Sequence, residues 1–177
     1  MVRRWILVVL ALLLFFLLES SFFPWIIPPE WRSEMLLFPR LVLVGVIYIG
    51  ILVNRHAGAM VGVAFGLLQD VVFFGHMLGA NAFTFALAGY AAGLLLKNNA
   101  VNLFSVFIVQ LASLLLFESS LYALYRLFNI TNLEFGWAFL QGMLPSLLVD
   151  LLLALILYFP ARKWLEAPLS AREPEEN

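Results

Sequence analysis

Apolar residues run along this chain in long, unbroken, leucine-rich stretches that short polar breaks separate. Because lipid cannot satisfy open backbone groups, segments that cross a bilayer are helices or the strands of a closed barrel. Barrel strands alternate apolar and polar residues, and these stretches do not. The pattern therefore predicts an all-α integral membrane protein. Its six transmembrane helices are expected at residues 5–23, 36–53, 57–74, 82–96, 101–124 and 137–159.

The breaks between the stretches are short. Prolines and tryptophans around Trp25 predict an interfacial loop after the first helix, since tryptophan favours the headgroup level. Polar turns are expected at Asn54–His56 and at Lys97–Asn99. The third and fourth stretches are short, contain glycine and are joined by an uncharged connection at 75–81. Two full spans and a partly re-entrant hairpin both stay open for this pair.

The composition supports this interpretation. Of the 177 residues, 64% are apolar and 12% are charged, which is unusual for a soluble domain. Six spans of about 20 residues use most of the chain. We therefore predict a single transmembrane helical domain at 1–160 and a short, charged, cytoplasmic tail at 161–177.

The distribution of basic residues predicts the orientation. With both termini in the cytoplasm, seven basic residues fall inside and three outside, as the positive-inside rule requires. The net charge of −1 offers no basic surface for nucleic acid, and the absence of cysteine excludes disulfides and thiolate sites. The inner residues are Arg3, Arg4, Arg55, Lys97, Arg162, Lys163 and Arg172; the outer ones are Arg32, Arg40 and Arg126.

Glycines recur at helical spacing in the third and fourth stretches. Gly58, Gly62 and Gly66 lie four residues apart on one face, and Gly89 and Gly93 repeat the spacing in the next helix. Small residues at this interval let another helix backbone approach closely. We favour packing inside the protein over a seam between molecules.

Four carboxylates lie within the apolar stretches: Glu19, Asp70, Glu118 and Asp150. An acid at mid-membrane costs roughly 2.5–3.5 kcal/mol on insertion scales, so each needs a physical reason. In the expected orientation the first three lie toward the outer ends of their helices and Asp150 lies nearer the middle. They are candidates for one outward-facing polar pocket.

No lysine or arginine is expected at the depth of these acids, and Arg40 and Arg126 near the outer surface are the nearest cations. Glu19 is either solvated at the interface or part of the pocket. Glu118 is either solvated or paired with Arg126. For Asp70, a structural role at the break that follows it is favoured over a role in transport.

The sequence shows no catalytic constellation. It contains no serine in a Gly-x-Ser-x-Gly turn and no phosphate loop, and Asp70 with His76 fits no recurrent metal-ligand spacing. We therefore predict no enzymatic activity, no cofactor and no metal.

Residues 62–70 end in Gly66-Leu67-Leu68-Gln69-Asp70, followed by Gly75, Leu78, Gly79 and Ala82 and by the Gly-Tyr-x-x-Gly-like element at 89–93. This pattern resembles the rod shape-determining protein MreD family. The arginine-rich start, the leucine-rich first helix and a last span with Pro145 and Asp150 also agree with it.

The resemblance implies a non-enzymatic scaffold in the bacterial inner membrane. Its expected partner is the membrane helix of MreC, together with membrane lipids and no nucleic acid. Through MreC it would connect to MreB, a SEDS-type glycosyltransferase and a class B penicillin-binding transpeptidase, and so organise peptidoglycan synthesis during elongation. The family also resembles the substrate-binding subunits of energy-coupling-factor transporters in fold. The alternative function is therefore a small-molecule- or lipid-binding membrane subunit of a transporter.

Overall fold

The computed structural model describes residues 2–21, 39–73, 77–96, 102–132 and 134–165, and these contain helices and no strand. The interfacial loop predicted around Trp25, the turns at Gly75 and Lys97, and the end of the tail lie outside the described residues. The elements are α1 (Val2–Ser21), α2 (Leu41–Leu52), α3 (Arg55–Val72), α4 (Ala80–Leu95), α5 (Leu103–Leu127), α6 (Phe135–Ala138), a π-helical segment (Phe139–Met143) and α7 (Leu144–Leu165).

Helix α2 forms the centre of the described structure. It packs against α1, α3, α4, α5 and α7. Consecutive side chains from Val42 to Val44 are completely buried, so the helix is covered on every side. Its sequence is apolar all round, which is typical of a helix with no solvent-facing side.

Helix α2 is much shorter than the predicted 36–53 span. It begins at Leu41, because Pro39 and Arg40 are not helical and Arg40 has φ −112° and ψ 74°. Twelve residues give a length of about 18 Å, and the 16 residues of α4 give about 24 Å. Both fall short of a hydrocarbon core of roughly 30 Å. If they lie within a bilayer, at least one end of each helix is inside it.

Two described helices are long and apolar enough to cross a membrane by length and composition: α5, and α7 from Leu144 to Lys163. The apolar part of α1 (Trp5–Ser21) and the helices α2 and α4 are shorter. The described part of the chain is thus all-helical and contains two candidate membrane-spanning helices.

The last helix contains a local irregularity and is longer than expected. Pro145 has no N–H to donate to the carbonyl four residues earlier, and the wider turn of the π-helical segment directly precedes this position. Further on, α7 continues through Pro160 to Leu165, with Arg162 and Lys163 in its last turn. The start of the predicted tail is therefore helical.

Candidate functional site

The first turn of α2 is capped by carboxylates from other helices. A helix start leaves backbone N–H groups without partners, and Arg40 supplies no side-chain cap. Asp150 of α7 accepts a hydrogen bond from the Arg40 N–H at 2.8 Å, and Glu19 of α1 accepts one from the Val42 N–H at 3.2 Å. Negative groups are also favoured at this end by the helix dipole. Both acids therefore stabilise the start of α2.

The Arg40 side chain pairs with a third acid at the same place. Its guanidinium forms an ion pair with Glu118 of α5 and lies 4.5 Å from the centroid of the Phe117 ring. The Arg40 and Glu118 side chains are only 18% and 11% exposed. We name the cluster of Glu19, Arg40, Glu118 and Asp150 the α2-start cluster.

Glu19 also connects the cluster to α3. Gln69 donates from its side-chain amide to the second carboxylate oxygen of Glu19 at 2.8 Å. Glu19 is therefore bonded on both oxygens rather than simply solvated. Side chains of α1, α5 and α7 thus bond to Arg40 or Val42 at the start of α2. A side chain of α3 is connected to this place through Glu19.

Asp70 performs the corresponding role for α4. It is 2% exposed, and its carboxylate accepts hydrogen bonds from the backbone N–H groups of Gly79 (2.8 Å), Asn81 (3.3 Å) and Ala82 (3.3 Å). The Asn81 side-chain amide donates a further bond at 2.9 Å. The residue before α4, Gly79, has no side chain to cap it and adopts a φ of +94°, which favours glycine. Asp70 therefore caps α4 across the α3–α4 connection.

Of the four acids predicted to share one outward-facing pocket, three meet at one place and the fourth lies at another helix start. Glu19, Glu118 and Asp150 belong to the α2-start cluster, whereas the carboxylate of Asp70 is bonded at the start of α4. Glu118 does not pair with Arg126, because Arg40 reaches it from a different part of the chain. Of the two cations that the sequence offered for the acids, Arg40 makes the ion pair, and its side chain is largely buried.

The glycines of α3 face the backbone of α4. A Cβ built on Gly62 would lie 2.7 Å from the Phe85 carbonyl oxygen, and one on Gly66 would lie 2.5 Å from the Ala82 Cα. On Gly58 it would lie 2.7 Å from the Gly50 Cα of α2. At all three positions only a hydrogen fits between the helices.

The glycines of α4 complete the same packing. A Cβ on Gly89 would lie 2.7 Å from the Gly58 carbonyl oxygen, and one on Gly93 would lie 2.7 Å from the Arg55 Cα. Gly50 of α2 directly faces the Gly89 carbonyl. The glycine spacing in the third and fourth stretches did not predict this contribution of Gly50. The glycine faces are therefore occupied by neighbouring helices of the same chain.

Sequence reasoning missed several contributors to the site. Gln69 directly precedes Asp70, and Asn81 ends the predicted connection that follows it. This proximity to Asp70 in sequence was the signal that could have identified both residues. Arg40 was one of the two candidate cations, but its distance of 78 residues from Glu118 in sequence gives no sign of their contact.

Carboxylates that accept hydrogen bonds lie at the starts of both α2 and α4, and the start of α2 also has one cation, Arg40. Each of the four carboxylates accepts a bond from a backbone N–H or from Arg40. Across the described ranges, no group of three or more His, Cys, Asp or Glu residues is arranged to hold a metal ion.

Comparisons with known proteins agree with the pattern at 62–93. The family described as rod shape-determining protein MreD matches residues 3–167. The chain is 26% identical over 152 residues to the rod shape-determining protein MreD of Bacillus subtilis (strain 168), covering 86% of this chain and 88% of that protein. No solved structure matches the chain. The chain therefore belongs to the rod shape-determining protein MreD family, a family of membrane proteins that function in rod shape determination and that is not known as an enzyme family.

Proposed function

We propose that this protein is a non-enzymatic scaffold of the cell-elongation machinery and that it holds the membrane helix of MreC in the bacterial inner membrane. One observation carries the proposal. The buried carboxylates and Arg40 are engaged in capping and pairing inside the fold, while exposed apolar side chains line the outer sides of α1 and α7. Such an arrangement suits a scaffold whose polar groups hold the fold together and whose outer surface binds a partner.

Helix α7 offers the surface that best fits a partner helix. Leu152, Ile156 and Phe159 are 62%, 70% and 77% exposed and follow the i, i+4, i+7 spacing of one helix face. We name these three residues the α7 stripe. Because α7 is long enough to cross a membrane, a second spanning helix can lie along it. The glycine face of α3 is not proposed for MreC, since α4 covers it.

Site-specific crosslinking tests this assignment. A photoreactive amino acid at Ile156, in membranes that contain tagged MreC, is expected to crosslink to the MreC membrane helix. The matched control is Leu14 on the exposed side of α1, which is also apolar and outward-facing. Crosslinking from Leu14 but not Ile156 would move the partner to α1. No crosslink from either position, with intact co-purification of both proteins, would contradict docking of MreC on α7 or α1.

We also propose six membrane passes within a single domain at 1–160, with both termini in the cytoplasm and a fold like that of energy-coupling-factor substrate-binding subunits. The support is the distribution of basic residues and the six main helical stretches of the described chain. In this orientation the capped starts of α2 and α4 both lie toward the outer side.

The natural absence of cysteine makes this topology directly testable. A single cysteine at the exposed Asn132 is expected to react with a membrane-impermeant maleimide on intact spheroplasts. A single cysteine at the exposed His56 is expected to react only after permeabilisation. The reverse pattern would overturn the orientation, and labelling of both from outside would overturn the number of passes between them.

Through MreC, the scaffold would act on the machinery that includes MreB, a SEDS-type glycosyltransferase and a class B penicillin-binding transpeptidase. The family's role in rod shape determination supports this part of the proposal. The alternative, a transporter subunit that binds a small molecule or a lipid, depends on an outward pocket lined by Asp70, Glu118 and Asp150. The carboxylates of these residues bond to helix starts and to Arg40 instead. We therefore give it no further weight.

A further inference from the structure

Two polar side chains in the middle of α5 are buried without a hydrogen-bonding partner among the described residues. They are the amide of Gln110, including both its nitrogen and its oxygen, and the hydroxyl of Ser113. Gln110 is 1% exposed and Ser113 is completely buried. Residues three apart on a helix are neighbours on its surface, so the two groups lie side by side.

A buried amide or hydroxyl that makes no hydrogen bond is costly, and native structures contain few of them. A helical hydroxyl normally avoids this cost by bonding to a carbonyl one turn earlier. Thr84 of α4, also completely buried, does this by donating to the Ala80 carbonyl at 2.9 Å. Ser113 makes no such bond. No described residue therefore supplies a partner for this hydroxyl.

We propose that Gln110 and Ser113 bind an enclosed, ordered water molecule inside the helical bundle. A water molecule both donates and accepts hydrogen bonds. The Gln110 amide and the Ser113 hydroxyl together offer it donors and acceptors. A site of this kind needs 2–4 polar partners, and the three unpaired atoms supply them. The nearest buried residues of α5 itself, Val109, Leu114 and Phe117, have apolar side chains that cannot bond to either group.

The site lies about one helical turn along α5 from a residue that contacts the α2-start cluster. Phe117 follows Ser113 by one helical turn on the same face of α5, and its ring lies beneath the guanidinium of Arg40. The proposed water site and the Arg40–Glu118 pair are therefore near neighbours along α5.

Thermal unfolding of the full-length protein in detergent tests the site. Gln110→Leu keeps a similar size and helix propensity but removes the amide. If water bonds to the amide, this variant is expected to lower the melting temperature by about 2–4 °C. If the amide is truly unpaired, the apolar replacement raises the melting temperature, which overturns the proposal.

Ser113→Ala gives the second arm, with Ser119→Ala as the matched control. Ser119 is exposed on the same helix, so its substitution measures the gain in helix propensity alone. Relative to this control, Ser113→Ala is expected to lower the melting temperature. The double variant is expected to lose less than the sum of the single losses, because both side chains bond to one water. Strictly additive losses would overturn the shared site.

High-resolution density provides the direct readout. A single peak within hydrogen-bonding distance of the Gln110 amide and the Ser113 hydroxyl is expected in the wild-type protein, and none in Gln110→Leu. Continuous density larger than one water molecule would replace the water with a bound solute and so overturn the assignment.

Discussion

The carboxylate of Asp150, in the last helix, accepts a hydrogen bond from the backbone N–H of Arg40, which lies 110 residues earlier at the start of α2. The same relationship, an acid on one helix capping the start of another, recurs for Glu19 with Val42 and for Asp70 with Gly79. It gives three acids in apolar helices a common physical purpose. Short helices that begin inside a low-dielectric environment need acceptors for their first N–H groups, and these acids provide them.

Replacing Asp150 tests this capping. Asp150→Leu removes the carboxylate that accepts the hydrogen bond from the Arg40 N–H. We therefore expect the free energy of unfolding to fall by about 1.5–3 kcal/mol. Asp150→Asn keeps an oxygen that can accept the bond and should lose clearly less. Thermal unfolding in detergent compares the two variants. Equal losses would show that the charge, and not the acceptor, matters at this position.

The pair of Arg40 and Glu118 is expected to behave as a buried ion pair. Arg40→Met leaves the largely buried Glu118 carboxylate without its cation, which predicts a loss of about 3–5 kcal/mol. Glu118→Met alone should also destabilise the fold.

The double variant Arg40→Met, Glu118→Met should be less destabilised than the sum of its parts, because neither partner is then left uncompensated. Arg126→Met is the control, since Arg126 bonds to the Thr131 carbonyl at 3.4 Å and not to Glu118. A coupling between Glu118 and Arg126 instead would contradict the contact seen here.

Asp70 is expected to matter more than an ordinary helix cap. Asp70→Ala removes an acceptor of four hydrogen bonds at the buried start of α4, so the loss should exceed the roughly 1 kcal/mol typical of a cap. Asn102→Ala is the matched control, because Asn102 caps α5 through one exposed bond to the Ser105 N–H at 2.8 Å. If both variants melt at the same temperature, Asp70 is no more than a simple cap.

The close packing of α3 on α4 predicts that even one methyl group is destabilising at Gly62. Its Cβ would meet the Phe85 carbonyl, and backbone atoms can retreat only if the helices separate. We expect Gly62→Ala to lose about 1–3 kcal/mol.

Gly136→Ala in α6 is the control, since nothing lies within 4 Å of its added Cβ. It should be neutral or slightly stabilising because alanine favours a helix. Complementation of rod shape in a strain lacking the protein should follow the same order. Normal stability and normal shape with Gly62→Leu would refute the packing argument.

The sequence predicted the helical class, the small-residue face of α3 and the acids that needed an explanation, because each follows from residue chemistry and local spacing. It also indicated a structural role for Asp70, since the glycines around it signal a break. It failed on the length of α2. Continuous hydrophobicity reports burial or lipid contact, and it does not report where a helix begins.

By itself, the sequence determined that this chain forms apolar helices, that small residues bring two of them together, and that it belongs to its family. Only the tertiary structure decided which partners the buried charges take. Arg126, eight residues after Glu118 on the same helix, was the local choice, yet Arg40, 78 residues away, makes the ion pair. The physical reason is that a buried charge pairs with whatever opposite charge the packing of helices brings beside it. That proximity depends on how α2 lies among its neighbours, and distance along the chain does not encode it.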